Sequence, residues 1–297
     1  MQLPRAAFTL ARPEKPVVPC MSPRLIAFSI ALATAFVAGC DQIPPGPAVS
    51  APPISNATAQ EGTSNEDAGQ GNGYAFHIRY PQLQEQWLPL EHALHVFAAA
   101  QKKDFLDARV ADEHTDTPAY SLDLEFNIAR RTADFVSVLS NGSVYMGGAH
   151  PNPILVSFNL HSTGGKLIAI EDLFADPTAA LKALSDESRR QLEGRYDATP
   201  QGENRKQSTA DRQQMYAWIE RGTEPKADSF KVFLVDGLDS KAIGLTLIFP
   251  PYQVASYADG PQQIEVPAKV FYAFLKPEYR DSFAIEATAD KITPGAH

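Results

Sequence analysis

Cysteine is nearly absent from this 297-residue sequence, which has only Cys20 and Cys40. No Cys-based redox motif is present, and no nucleophile elbow, phosphate loop or dinucleotide fingerprint either. No cofactor is therefore implied, although an enzyme stays open because acid/base pairs leave no local signature. Basic residues are in deficit, 26 Lys and Arg against 35 Asp and Glu, a net charge of −9. That balance disfavours nucleic acid, whose binding rests on cations neutralising phosphates. It also repels anionic lipids and cell-wall polymers, and it attracts a cationic protein chiefly by raising the on-rate. The same excess of acid serves solubility. Long apolar runs are scarce as well. The marked one, residues 25–38, is shorter than the roughly 20 residues a membrane span needs.

What is present begins with that run. It follows the short basic segment Met21-Ser22-Pro23-Arg24 and ends in Val37-Ala38-Gly39-Cys40. A charged start, an apolar centre and a small-residue exit make a secretory signal. Because it closes on Cys, the stretch resembles the lipobox of bacterial lipoproteins, in which the Cys receives lipid and becomes the first mature residue. The expectation is a signal peptide over 21–39 and a membrane anchor through lipid on Cys40, with the protein facing the periplasm or the exterior. Cys20 lies upstream of Met21, so the mature chain holds no disulfide partner for Cys40. Residues 1–20 carry Arg5, Arg12, Lys15 and four prolines, a poor signal-peptide beginning, and read as an over-called start with Met21 the initiator. Without Arg5, Arg12, Lys15, Arg24 and Glu14, 22 basic and 34 acidic residues remain, a net charge of about −12. Residues 40–73, built from Pro, Ala, Ser, Gly, Asn and Gln, cannot bury enough surface to offset ordering entropy and are expected to be a flexible tether.

From Tyr74 the pattern becomes globular. Tyr74 to Tyr80 reads as a strand ended by Pro81, and Leu88 to Ala111 as an amphipathic helix with Pro89 in its first turn. Tyr120, Leu122, Leu124, Phe126 and Ile128 alternate with polar residues, a strand with one wet face. Asn141-Gly142 predicts a two-residue hairpin between Phe135–Ser140 and Ser143–Met146, and Gly164-Gly165 a second turn. Asp176-Pro177 predicts a capped helix with Leu181, Leu184 and Leu192 on its buried face and Gly194 as its stop. A further helix is expected from about Asp211 to Glu220. A third strand pair is expected about Asp236-Gly237, and a short helix over Val266 to Leu275. Antiparallel pairs with helices grouped between them predict an α+β fold of two intimately associated subdomains, 74–175 and 176–285, followed by a tail, 286–297.

Several blocks then carry a family resemblance. Tyr145-Met146-Gly147-Gly148-Ala149-His150-Pro151-Asn152, Ser157-Phe158-Asn159-Leu160, Thr163-Gly164-Gly165-Lys166 and Glu171-Asp172-Leu173-Phe174 occur in order. Phe249-Pro250-Pro251-Tyr252, Tyr257-Ala258-Asp259-Gly260 and Ile264-Glu265-Val266-Pro267 follow. The series, over about Tyr74 to Pro277, resembles a bacterial envelope domain of uncharacterised function. That domain forms the extracellular part of RsiV-type anti-sigma factors and the N-terminal non-catalytic part of PdaC-type peptidoglycan deacetylases. The resemblance implies an α+β fold and a lysozyme-like cationic ligand or a cell-wall setting. The expectation is that the chain departs from both kinds of relative, without an anti-sigma segment before the signal or a deacetylase domain after Pro277.

Two loops are the candidate sites. Gly147 and Gly148 permit positive φ or close backbone approach, and Pro151 pushes His150 toward an extended conformation, so this loop fixes an imidazole. His150 either presents itself to a ligand or only locks the turn by bonding neighbouring backbone. Pro250, Pro251 and Tyr252, with Tyr257, suit gripping a partner, since Tyr offers rigid amphipathic area; the other reading is a strand-ending turn with a half-buried ring. His92 and His95, near Glu91, stand at helical spacing but lack a marked third ligand, so a solvated helix face is expected and no metal. Asp123 and Glu125 share a strand face and could suggest glycosidase chemistry, yet they alternate with apolar residues as solvent-facing groups do. The leading expectation is a lipid-tethered envelope module that binds an extracytoplasmic protein or glycan. A cell-wall-acting enzyme or accessory subunit, and a structural envelope lipoprotein, are the alternatives.

Overall fold

The computed structural model describes residues 65–111, 120–199, 208–237 and 241–285. The expected signal peptide, Cys40, the over-called start and the tail lie outside the described residues. No helix among the described residues is long and apolar enough to cross a membrane.

Nine strands form two sheets among these residues. The larger has six in the order β1 (Asn65–Gly71), β2 (Tyr74–Tyr80), β3 (Tyr120–Arg131), β4 (Phe135–Tyr145), β5 (Asn152–His161) and β6 (Lys166–Leu167). The smaller has β7 (Phe233–Asp236), β8 (Gly244–Phe249) and β9 (Gln262–Pro267). The fold is α+β, as expected. One pair departs from the antiparallel pattern: β2 and β3 run parallel, because α1 (Leu88–Ala111) carries the chain back between them, as a crossover must.

The alternation in β3 decides which face is which. Leu122, Leu124 and Phe126 are buried against α1, with Ile78, Leu90, Leu94 and Phe105 in the same core. The opposite face meets the smaller sheet at Leu139, Val232, Leu234 and Ile248. A second core surrounds the smaller sheet and α2 (Pro177–Ala198), and it takes in Phe135 and the stretch from Ile168 to Phe174. Asp176 caps α2 by accepting a hydrogen bond from Ala179 N, with Pro177 in the first turn. Ser208 caps α3 (Thr209–Gly222) through a reciprocal box with Asp211.

Four local expectations are corrected. The last part of the expected tether, 65–71, is strand β1, antiparallel to β2. Its sequence has no apolar run; the rings of Phe76 and Tyr74 lie over Gly69 and Gly71, and Lys102 reaches from α1 to Asp67 at 2.8 Å. Asn141-Gly142 is not a hairpin turn but lies inside β4, paired on both sides. A Cβ on Gly142 would stand 2.5 Å from the backbone oxygen of Asp123, so the glycine answers a demand for space between strands. The real turns lie at Thr132 to Asp134, where Thr132 Oγ1 accepts from Phe135 N at 3.0 Å, and at Met146 to Pro151. Gly194 does not stop α2, which continues to Ala198; Pro200 follows in sequence, and the residue before a proline disfavours helix. Val266 to Leu275 is the end of β9 and two 3-10 turns rather than a helix. Ala268, Phe271 and Leu275 are all buried at spacings that imitate one helical face.

Candidate functional site

The inner seam between the sheets explains how the outer loops are held. β7 is an edge strand, and an unpaired buried edge is costly. Here side chains of the larger sheet complete it: Ser157 Oγ accepts from Phe233 N at 2.9 Å, Ser137 Oγ accepts from Val235 N at 3.0 Å, and Asn159 Nδ2 donates to Phe233 O at 2.9 Å. Ser137 in turn donates to Asn159 Oδ1 at 2.6 Å. At the end of β7, Asp236 accepts from Arg130 Nε at 3.0 Å and from Thr246 Oγ1 at 2.6 Å. Burial nevertheless raises the Asp236 carboxyl above its ordinary pKa, outweighing both bonds.

With the sheets locked, the β4–β5 and β8–β9 loops come together, and with them His150, Tyr252 and Tyr257. Gly147 and Gly148 take φ of +86° and +110°, and a Cβ on either would meet nothing within 4 Å, so dihedral freedom rather than space requires them. Tyr145 closes the loop by donating to Gly148 O at 3.1 Å. His150 Nδ1 lies 3.1 Å from Pro151 O. A carbonyl only accepts, so Nδ1 carries the proton there and, in the neutral ring, Nε2 is left as an acceptor. That nitrogen faces the Tyr252 hydroxyl at 3.5 Å. The Tyr257 ring stacks on His150 at 4.0 Å between centroids, and its hydroxyl donates to the same Pro151 carbonyl at 3.1 Å.

Tyr252 completes the cluster under strain. Pro250 and Pro251 end β8, and Tyr252 then takes φ of +70°, the one non-glycine residue at positive φ among those described. Such a conformation costs of order 1–3 kcal/mol and persists only where its surroundings over-determine it. Here Tyr252 N donates to Ala255 O at 3.0 Å, Trp218 Nε1 donates to Tyr252 O at 3.0 Å, and Gln253 Nε2 donates to Gly222 O and Ser229 O at 2.8 and 2.9 Å. The ring those bonds position is 56% exposed and lies 5.6 Å from that of Tyr257. His150 thus does bond neighbouring backbone, and it also joins an aromatic surface built from two loops about 100 residues apart. Trp218 and Tyr145 were not singled out from sequence. No local pattern marks them, because their partners are distant or are backbone oxygens.

The remaining candidates do not converge here. The His95 ring stacks on Tyr80 at 4.1 Å, and among the described residues no group of three His, Cys, Asp or Glu is placed to hold a metal. Glu125 accepts from Arg79 at 3.0 Å, while Asp123 stays exposed.

Residues 171–269 match the family described as "Protein of unknown function (DUF3298)". Over 212 residues the chain is 24% identical to the peptidoglycan-N-acetylmuramic acid deacetylase PdaC of Bacillus subtilis (strain 168), covering 71% of this chain and 41% of that protein. The chain therefore carries a DUF3298 domain shared with PdaC-type proteins, and it spans about two fifths of the length of PdaC. Two solved structures are also similar. A DUF3298 family protein of Pseudomonas aeruginosa PAO1 has a TM-score of 0.47 and 14% identity over 74% of this chain and 94% of its own. A DUF3298 family member of Bacteroides fragilis NCTC 9343 has a TM-score of 0.45 and 14% identity over 74% and 98%.

Proposed function

We propose that the chain is a cell-envelope binding module, held to a membrane through lipid on Cys40, which grips an extracytoplasmic partner with His150, Tyr252 and Tyr257. The observation that carries the reading is the strained, exposed Tyr252 at the meeting of two distant loops. A fold that spends backbone strain to display an aromatic ring supports recognition more than packing. The similarity to PdaC, a peptidoglycan deacetylase by name, favours an extracellular or envelope setting associated with the cell wall. The acidic balance, −9 over the whole sequence, favours a cationic protein such as a lysozyme over an anionic polymer. A second reading, an accessory part of a cell-wall enzyme, draws on the PdaC likeness alone.

Binding of lysozyme and of purified sacculi at low and moderate salt tests this. Lysozyme is expected to bind with an on-rate that falls as salt rises, exposed charges being screened within about 10 Å at 0.1 M. Tyr252→Ala should weaken it roughly thirtyfold through the off-rate, as loss of an aromatic anchor does. Retention by sacculi without lysozyme binding supports the accessory reading; binding to neither leaves a structural lipoprotein. Anchoring is tested separately: Cys40→Ser should release the protein from membranes, and unchanged fractionation refutes the lipid.

A further inference from the structure

We propose that the open face of the six-stranded sheet carries a second site, distinct from the aromatic patch, that takes an uncharged sugar on Asp123, Asn141 and Ser143. Register brings the groups together. Asp123 stands opposite His77 on one side and Ser143 on the other, and Glu125 stands opposite Arg79 and Asn141. These six side chains share the face turned away from α1 and line a shallow concavity. The smaller sheet packs on the same face at Leu139 and Leu155, the latter the cross-strand partner of Asn141.

Half of the concavity is already fixed. Arg79 Nη2 donates to Glu125 Oε2 at 3.0 Å, its Nη1 lies 3.5 Å from His77 Nδ1, and His77 Nε2 lies 3.6 Å from Glu66 Oε2. The other half is free: the side chains of Asp123, Asn141 and Ser143 have no partner among the described residues.

The chemistry of this set selects its ligand by exclusion. An anion is disfavoured, because Glu125 already neutralises Arg79 and Asp123 adds an uncompensated negative charge. A bound metal is disfavoured because no group of three His, Cys, Asp or Glu is placed to hold one among the described residues. An apolar ligand finds no apolar side chain in the lining of the concavity, since Leu124 turns its own into the core. What the free groups fit is a dense array of hydroxyls and amides. A carboxylate accepts from two adjacent hydroxyls, an asparagine amide donates and accepts, and a serine hydroxyl does either. Neighbouring strands hold all three, so little freedom is lost on binding. Tyr145, two residues beyond Ser143 on the same face and so about 7 Å along the strand, has its hydroxyl tied to Gly148 O at 3.1 Å. Its fixed ring can lie against the C–H face of a pyranose.

Calorimetric titration with the neutral tetramer of N-acetylglucosamine tests the proposal on the full protein. Saturable binding is expected. Asp123→Ala should weaken it about tenfold, the scale of one hydrogen bond to a charged group, and Asn141→Ala severalfold, with melting unchanged for both. Asp123→Asn, which keeps the shape but removes an acceptor oxygen, serves if the alanine variant melts early. Tyr252→Ala should bind the sugar like the parent, which separates this site from the partner patch. Absence of saturable binding, parental binding by both the Asp123 and Asn141 variants, or loss of binding in Tyr252→Ala alone each overturns the site.

Discussion

Two seams join the parts of this molecule, and they are made differently. The inner one links Ser137 and Asn159 to β7 and Arg130 to Asp236, across 74 to 106 residues of sequence. The outer one links His150 and Pro151 to Tyr252 and Tyr257, across 102 to 106 residues. Loop closure costs nearly the same in both cases, since it grows only slowly with length. Burial separates them. Asn159 is 2% exposed and both ends of its amide are bonded, whereas Tyr252 is 56% exposed and strained. The inner seam holds the fold together, and the outer one uses that rigidity to keep a costly surface in place.

The largest effect is expected where the inner seam is cut. Asn159→Leu leaves the buried carbonyl of Phe233 without a donor and the Ser137 hydroxyl, which still accepts from Val235 N, without an acceptor for its proton, and each such unmade bond costs about 1–3 kcal/mol. A loss of roughly 3 kcal/mol in denaturant unfolding is the expected outcome. A cost no greater than that of an exposed substitution would show that the seam does not govern stability.

Next in size comes Gly142→Ala. Its Cβ would approach the backbone oxygen of Asp123 to 2.5 Å within a sheet paired on both sides, so strands must part. Overpacking of this kind costs about 1–3 kcal/mol. If Asn141-Gly142 were a hairpin turn in solution, the penalty would instead come from dihedral strain and would vanish for D-alanine. In the strand reading, D-alanine gives no such relief.

That site also marks what the sequence could and could not tell. The start of β3 and both bounds of α1 were legible because alternation and helical spacing are local consequences of burying one face; the alternation read to Ile128, and β3 runs on to Arg131 past a register shift. Asn141-Gly142 misled because the turn rule asks only about dihedrals, while this glycine is needed for the space between strands. β1 was missed because its partners, the rings of Phe76 and Tyr74 and the ammonium of Lys102, lie outside it. The two halves of the candidate site were each visible as loops of unusual composition. Their meeting was not, since nothing local to Gly147 or Pro250 encodes a contact about 100 residues away.

A smaller, pH-dependent effect belongs to Asp236. Its folded pKa is raised above the ordinary value by burial, so the folded state holds this proton more tightly than the unfolded one. Stability contributed by the group therefore falls as pH rises from the ordinary carboxylate value of about 3.9 through the raised one. Glu187 runs the other way: its hydrogen bond to Arg190 lowers its pKa, and its contribution is lost as pH falls. Asp236→Asn should remove the Asp236 slope from the stability profile while leaving the acid-side loss. An unchanged profile would mean that solvent reaches Asp236 freely.

The smallest effect discriminates most sharply between the seams, because it has the opposite sign. Tyr252→Ala and Tyr252→Gly both remove the ring, the hydroxyl facing His150 and the contact with Tyr257, and both should lose the partner equally. They differ at φ of +70°, where alanine keeps the strain and glycine does not. The left-handed conformation costs an L-residue about 1–2 kcal/mol, and the extra unfolded-state freedom of glycine returns about 0.5–1 kcal/mol of that. The glycine variant should therefore be the more stable of the two by about 0.5–1 kcal/mol, although glycine elsewhere in a fold is usually the worse choice. Equal melting of the two variants would mean that the bonds from Trp218 and Gln253 do not hold the loop in this conformation in solution. In that case the exposed ring is not displayed at the cost of strain, and recognition loses its structural support.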